Sequence, residues 1–284
     1  MATKKTSPPR KAGKNAATTK QPSKGLTPPQ KLPAKKRQLV LEGVPAAKAR
    51  AIAAKEPTSP KSKPGKTRNP LAPERVAAML DALRRTYPNV VCALTHRNAF
   101  ELLIATILSA QTTDVTVNKV TPELFDRFPT AEALSKASLE EIEHIIKPTG
   151  FFHSKAKNIQ NAGRVLVEKF GGKVPQTIEE LTQVPGAARK TANVVLGSWF
   201  GIPSGIVVDT HVGRISRRLE LTKNEDPVKV EQDLMKIIPQ DRWIQFSHEL
   251  IHHGRQVCFA RKPQCADCSV EKLCNSTDKT WSSH

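Results

Sequence analysis

Four of the five cysteines, Cys258, Cys265, Cys268 and Cys274, fall within seventeen residues in the pattern C-x6-C-x2-C-x5-C. Four thiolates are a complete ligand set for a tetrahedral zinc ion or for a 4Fe-4S cluster. A zinc ribbon usually presents two CxxC knuckles. Here there is one, beside two wider loops, which leans towards iron–sulfur and leaves zinc open. No charged-then-apolar segment at the start resembles a secretory signal, and no apolar run approaches the roughly 18 residues of a membrane span. The expectation is therefore a soluble cytoplasmic protein, in which clustered cysteines serve as metal ligands rather than disulfides. Cys92, alone beside Val90 and Val91, reads as a small core residue.

Charge divides the chain. Residues 1–70 hold 18 of its 45 Lys and Arg but only two of its 26 acids, Glu42 and Glu56. They also hold 11 of its 22 prolines and no aromatic residue. Such a segment buries too little apolar surface to offset its ordering entropy, so it reads as a disordered basic arm, with one Ala-rich stretch, Val44 to Lys55, suited to a transient helix. Its charge suits either non-specific phosphate binding or a solubilising or targeting role.

From Pro73 onward helix follows helix, and the fold class is all-α. Asn98 is placed to cap an apolar run, Ala99–Gln111, that reads as a helix buried on every side. Ser138 with Glu141, and Thr177 with Glu180, have capping-box spacing. A helix through Lys155–Phe170 stops at Gly171-Gly172, and Asp226-Pro227 opens another. The one β-like run, Gly205–Val208, is too short to build a sheet. No repeat of solenoid spacing occurs.

Leu181 to Asn193 reads LTQVPGAARKTAN. A helix ends near Gln183, a Pro-Gly turn follows, and another helix starts near Ala188. A tight turn at a helix N-terminus aims unpaired N–H groups outward and makes an anion site. Lys190 lies in the first turn of that helix beside Arg189, in the positive field that suits an amine nucleophile forming a Schiff base. A plain phosphate contact is the alternative. Asp209, in IVVDTH, closes an apolar stretch before a helix. It is either an N-cap, a carboxylate facing a developing sugar cation, or both. His211 reads as structural. Arg261 and Lys262, between the first two cysteines, either face phosphates or offset the charge of a thiolate centre.

Taken together, these residues resemble the endonuclease III family of helix-hairpin-helix DNA glycosylases. The resemblance covers about residues 71 to 281. It rests on Phe100–Asn118 (FELLIATILSAQTTDVTVN), Gly150–Asn158 (GFFHSKAKN), Val184–Leu196 (VPGAARKTANVVL), Val208–Val212 (VDTHV) and His253–Arg255 leading into the cysteine pattern. It implies a six-helix domain with the helix-hairpin-helix over 92–203, and a helical iron–sulfur cluster domain from 71–91 and 204–281, with a DNA cleft between them. It implies a 4Fe-4S cluster on the four cysteines, and a bifunctional glycosylase and AP lyase that excises oxidised pyrimidines from duplex DNA. Lys190 is implied as the nucleophile at the sugar C1′ and Asp209 as the essential carboxylate. Gln111 and Phe151 are implied as fillers of the gap left by a flipped base, with Gly186, Ala188, Arg189, Arg261 and Lys262 as further DNA contacts. The implied partner is double-stranded DNA with a damaged base or abasic site, met by a monomer in a bacterial cytoplasm, at the nucleoid.

Two departures stand out. The family hairpin usually reads Pro-Gly-x-Gly, whereas here Ala187-Ala188 follows Gly186, so an alanine at a left-handed position would cost roughly 1 kcal/mol. The Lys190-to-Asp209 spacing is also one residue longer than is familiar, which predicts a small bulge near Ser204-Gly205. Related adenine and thymine-mismatch glycosylases lack the catalytic lysine, and the adenine enzyme adds a C-terminal domain. A non-catalytic DNA-binding module would not need Lys190 and Asp209 together.

Overall fold

A computed structural model of the chain describes residues 69–281. Residues 1–68 of the basic arm, with the helix expected over Val44 to Lys55, lie outside the described residues. Among those residues there are eleven α-helices and no strand. The all-α fold class is therefore observed, and Gly205–Val208 is extended chain without a sheet partner.

The helices are α1 (Pro73–Thr86), α2 (Ala99–Leu108), α3 (Asp114–Arg127), α4 (Ala131–Lys136), α5 (Leu139–Ile146), α6 (Phe152–Phe170), α7 (Ile178–Leu181), α8 (Arg189–Ser198), α9 (Thr210–Arg218), α10 (Pro227–Ile237) and α11 (Trp243–Gln256). Their starts follow the capping logic of the sequence. The side chains of Asn98, Ser138, Thr177 and Asp226 accept backbone N–H groups at the heads of α2, α5, α7 and α10. α6 ends at left-handed Gly171 and Gly172, with a bond from the Gly172 N–H back to the Leu166 carbonyl. It begins three residues earlier than expected, at Phe152. α2 is shorter than the expected Ala99–Gln111, because the chain leaves it after Leu108 and Gln111 turns left-handed, with φ 54°.

Buried apolar side chains form two clusters. The first runs from Leu94 to Leu196, with α2 at its centre; every residue of α2 from Phe100 to Leu108 is buried. Close approach of α4 and α6 depends on Gly163, where a Cβ would come within 2.9 Å of the Ala131 carbonyl oxygen. The second cluster combines Val76 to Val90 with Ile206 to Val270, so α1 packs among helices from the far end of the chain. Arg75 of α1 reinforces that join. Its guanidinium donates to the backbone carbonyls of Leu219, at 2.9 Å, and Leu273.

Candidate active site

Two ion pairs connect helices of the first cluster to helices of the second. Arg189 of α8 donates to Glu231 of α10 at 2.9 and 3.2 Å, and Arg255 of α11 donates to Asp114 of α3 at 2.8 Å. Between α8 and α11, with Asp114 at the head of α3, lies a cavity of about 350 Å³. Lys190 and Asp209 both line it, with Gln111, Gly186 and Ala188. Five residues singled out from the sequence, spread over almost a hundred positions, thus meet at one place. The α11 wall adds His248 and His252, which the sequence reading passed over. Burial pushes the His248 imidazole down to about 4, with His252 adding to the effect, so this side chain is uncharged at neutral pH.

Lys190 is exposed in the first turn of α8. No side chain caps that helix, so its first N–H groups point to the surface. The charge of Arg189, expected to reinforce the positive field at Lys190, is instead engaged by the buried Glu231. The same carboxylate accepts from Asn193 at 2.8 Å, and Asn193 in turn accepts from Ser204 at 3.0 Å. This network joins the helix bearing Lys190 to the loop leading to Asp209. Gly205 is needed there, because a Cβ would fall 2.1 Å from a Glu231 oxygen. Just before it, the Ser204 N–H closes a tight turn onto the Ile202 carbonyl, at 2.9 Å, where the long Lys-to-Asp spacing predicted a bulge. Asp209 is half-buried and caps α9 by accepting the Val212 N–H at 2.8 Å.

The hairpin resolves the question of its missing glycine. Gly186 takes φ 81°, whereas Ala188 sits at φ −71°, ψ 171°, open to any residue. No strain arises at Ala188. We expect Ala188→Gly to change DNA affinity by less than about tenfold, or 1.4 kcal/mol. Gly186→Ala should behave differently. Its Cβ would meet Ile107 at 2.9 Å with the backbone left-handed, at a cost of roughly 1–3 kcal/mol. Binding isotherms and melting curves of the two variants check this; equal effects would show that the turn does not depend on Gly186.

Among the described residues, four non-glycine residues have positive φ: Gln111, Phe151, Glu220 and Lys262. Three of these were singled out from the sequence as DNA contacts. Phe151, at the head of α6, is 70% exposed, an unusual setting for a phenyl ring that suits insertion into stacked bases. Arg261 and Lys262 are exposed between the first two cysteines.

All four clustered cysteines line a second, small cavity of about 30 Å³. Burial, reinforced by the other three thiols, pushes the Cys268 thiol up to about 12, so four thiolates can gather here only with a compensating cation. Arg218 donates to Cys258 Sγ at 3.2 Å, and His253 approaches Cys268 Sγ at 3.5 Å while its other ring nitrogen meets the Tyr87 hydroxyl at 3.0 Å. Among the described residues, no group of three or more His, Cys, Asp or Glu side chains could hold a single metal ion. Four sulfurs around one cavity are a complete donor set for a four-iron cluster, which binds each thiolate to a different iron. Cys92 lies apart, packed against the first core. No helix among the described residues is long and apolar enough to cross a membrane.

Comparison with known proteins matches residues 104–240 to the HhH-GPD superfamily base excision DNA repair protein family. The endonuclease III of Synechocystis sp. is 55% identical over 203 residues, covering 72% of this chain and 93% of that protein. A non-covalent endonuclease III–DNA complex superposes with a TM-score of 0.69 at 43% identity, covering 72% of this chain and 95% of that one. A trapped endonuclease III–DNA covalent intermediate, an estranged-adenine complex, superposes equally well, covering 96% of its chain.

Proposed function

The chain belongs to the endonuclease III family of HhH-GPD base-excision repair proteins, and from that premise we propose how its own residues carry the chemistry. The activity is that of a bifunctional glycosylase and lyase on DNA. The substrate is an oxidised pyrimidine in duplex DNA, extruded into the cavity between the two cores. The observation that supports this most is that Lys190 and Asp209 line one cavity, with the uncapped head of α8 beside it to receive a backbone phosphate.

In this reading the Lys190 amine attacks the sugar C1′ as the bond from C1′ to the base breaks, and the base leaves with a proton. The amine loses a proton as the sugar ring opens, leaving an imine between Lys190 and C1′. That imine makes the C2′ proton acidic; its loss expels the 3′ phosphate by β-elimination. Asp209 faces the positive charge that develops on the sugar, or takes the proton from the amine. Gln111 and Phe151, both exposed, fill the space the base vacates and offset its unstacking cost of a few kcal/mol. The division into a 92–203 domain and a cluster domain from the two flanking segments follows the division of the buried side chains.

Strand scission on a duplex with one oxidised pyrimidine, compared with one carrying a preformed abasic site, tests this reading. Failure to cut the abasic duplex would sink it in favour of a non-catalytic DNA-binding protein.

Cys258, Cys265, Cys268 and Cys274 would hold a 4Fe-4S cluster, which when bound ties the chain after α11 to the second core. Purified protein should be yellow-brown, absorbing broadly at roughly 400 nm, from four-thiolate ligation of iron. Zinc without iron, in protein prepared anaerobically, would overturn the cluster assignment. The protein acts as a monomer in the cytoplasm of a bacterium, a placement supported by its bacterial relatives.

A further inference from the structure

Lys155 is a long cationic side chain in an apolar position. It lies on α6 in register with Phe152, Ile159, Ala162 and Leu166, and only 5% of it is exposed. Among the described residues no carboxylate pairs with it. Its Nζ donates instead to the Thr112 hydroxyl at 2.6 Å and to the Thr149 carbonyl at 2.9 Å, and the Thr112 hydroxyl donates to that same carbonyl. Burial lowers the pKa of the Lys155 amine. Neutral partners alone compensate a buried ammonium poorly, so this arrangement costs the fold stability.

The three groups lie where two loops meet. One loop joins α2 to α3 and carries Gln111; the other joins α5 to α6 and carries Gly150 and Phe151. All three of these residues are left-handed, with φ of 54°, 68° and 48°. At Gln111 and Phe151, which unlike Gly150 carry a Cβ, backbone of that kind persists only where its surroundings over-determine it. Thr112 is the residue after Gln111, and Thr149 precedes Gly150-Phe151. The Lys155 amine therefore fastens each loop next to the residue it presents.

We propose that Lys155 is a positioning residue that locks the two loops together, so that Gln111 and Phe151 enter the DNA stack as one unit when a base is extruded. The inference rests on the reading of Gln111 and Phe151 as gap-filling residues. It makes Lys155 important for getting a base out of the duplex and unimportant for chemistry on a sugar that has already lost its base.

Lys155→Met tests this, because it keeps the chain length while removing a desolvated charge, so folding should survive. Thr112→Val removes only the bridging hydroxyl and serves as the second variant should Lys155→Met fail to fold. Both are compared with the unchanged protein on two duplexes of one sequence, one with an oxidised pyrimidine and one with a preformed abasic site. We expect kcat/KM on the base-containing duplex to fall by about tenfold or more for Lys155→Met, as misplaced positioning groups do. Scission of the abasic duplex should stay within about threefold. Thr112→Val should show the same selective loss in smaller measure. With 2-aminopurine beside the lesion, the fluorescence rise on binding should shrink in both variants.

Equal losses on the two duplexes would show that Lys155 supports only the fold, and no loss on either would show that the loops need no fastening. Either result overturns the inference while leaving the proposed function intact. That function fails instead if the unchanged protein leaves the abasic duplex uncut.

Discussion

Lys190→Gln is expected to abolish the borohydride-trapped adduct with abasic DNA while holding damaged duplex within about tenfold of the unchanged chain's affinity, the worth of one phosphate-range charge at moderate salt. Lys190 is exposed at the head of α8 and takes no part in either buried cluster, so removing its amine leaves the packing untouched. Other amines are differently placed: Lys155 is buried and held by Thr112 and Thr149, and Lys262 is exposed on the cysteine loop. The experiment therefore distinguishes one nucleophile from its neighbours. Peptide mapping of the adduct from the unchanged chain should return Lys190. A variant that still traps at near the original rate would move the nucleophile elsewhere and remove the central chemical assignment.

Asp209→Asn should lower the single-turnover rate by about 10² or more, the scale of a positioned acid–base or electrostatic group. The difficulty with Asp209 is that it has two roles at once. Its side chain caps α9 through the Val212 N–H, and loss of a cap typically costs about 1 kcal/mol. Asparagine caps a helix about as well as aspartate, so this substitution deletes the charge and keeps the cap. The melting temperature should accordingly stay close to that of the unchanged chain while turnover collapses. Asp209→Ala should lower both. Full activity in Asp209→Asn would reduce Asp209 to a structural cap.

Much of this was legible from local sequence, because helix starts are set by residues three apart. Asn98, Ser138, Thr177 and Asp226 each cap where their neighbours said they would. The hairpin and its lysine were legible for the same reason. The alanine at 188 was the exception: a pattern of residue types does not carry φ, and only the backbone shows that Gly186 alone bears the left-handed turn. The ion pairs joining the two halves were not legible either. Arg189 and Glu231 are 42 residues apart and Asp114 and Arg255 141 apart, so no spacing rule connects them. Lys155 did leave a signal, a cation interrupting an apolar helical stripe. The same kind of signal marks Glu231, which follows buried Val230 and precedes buried Leu234 on α10.

The second core is assembled from both flanks of the first, and this has a consequence for how the chain is made. α1 leaves the ribosome early, yet the Tyr87 hydroxyl meets its partner His253 only 166 residues later. At about 5–20 residues per second that is a wait of roughly 8–30 s. During that interval the helices around α2 can pack on one another, while Val76, Met79, Leu80 and Leu83 stand without the side chains that will cover them. The nascent chain thus exposes one sticky helix for most of its synthesis. A stalled or truncated product lacking α11 would keep that helix uncovered and become a target for chaperones and proteases.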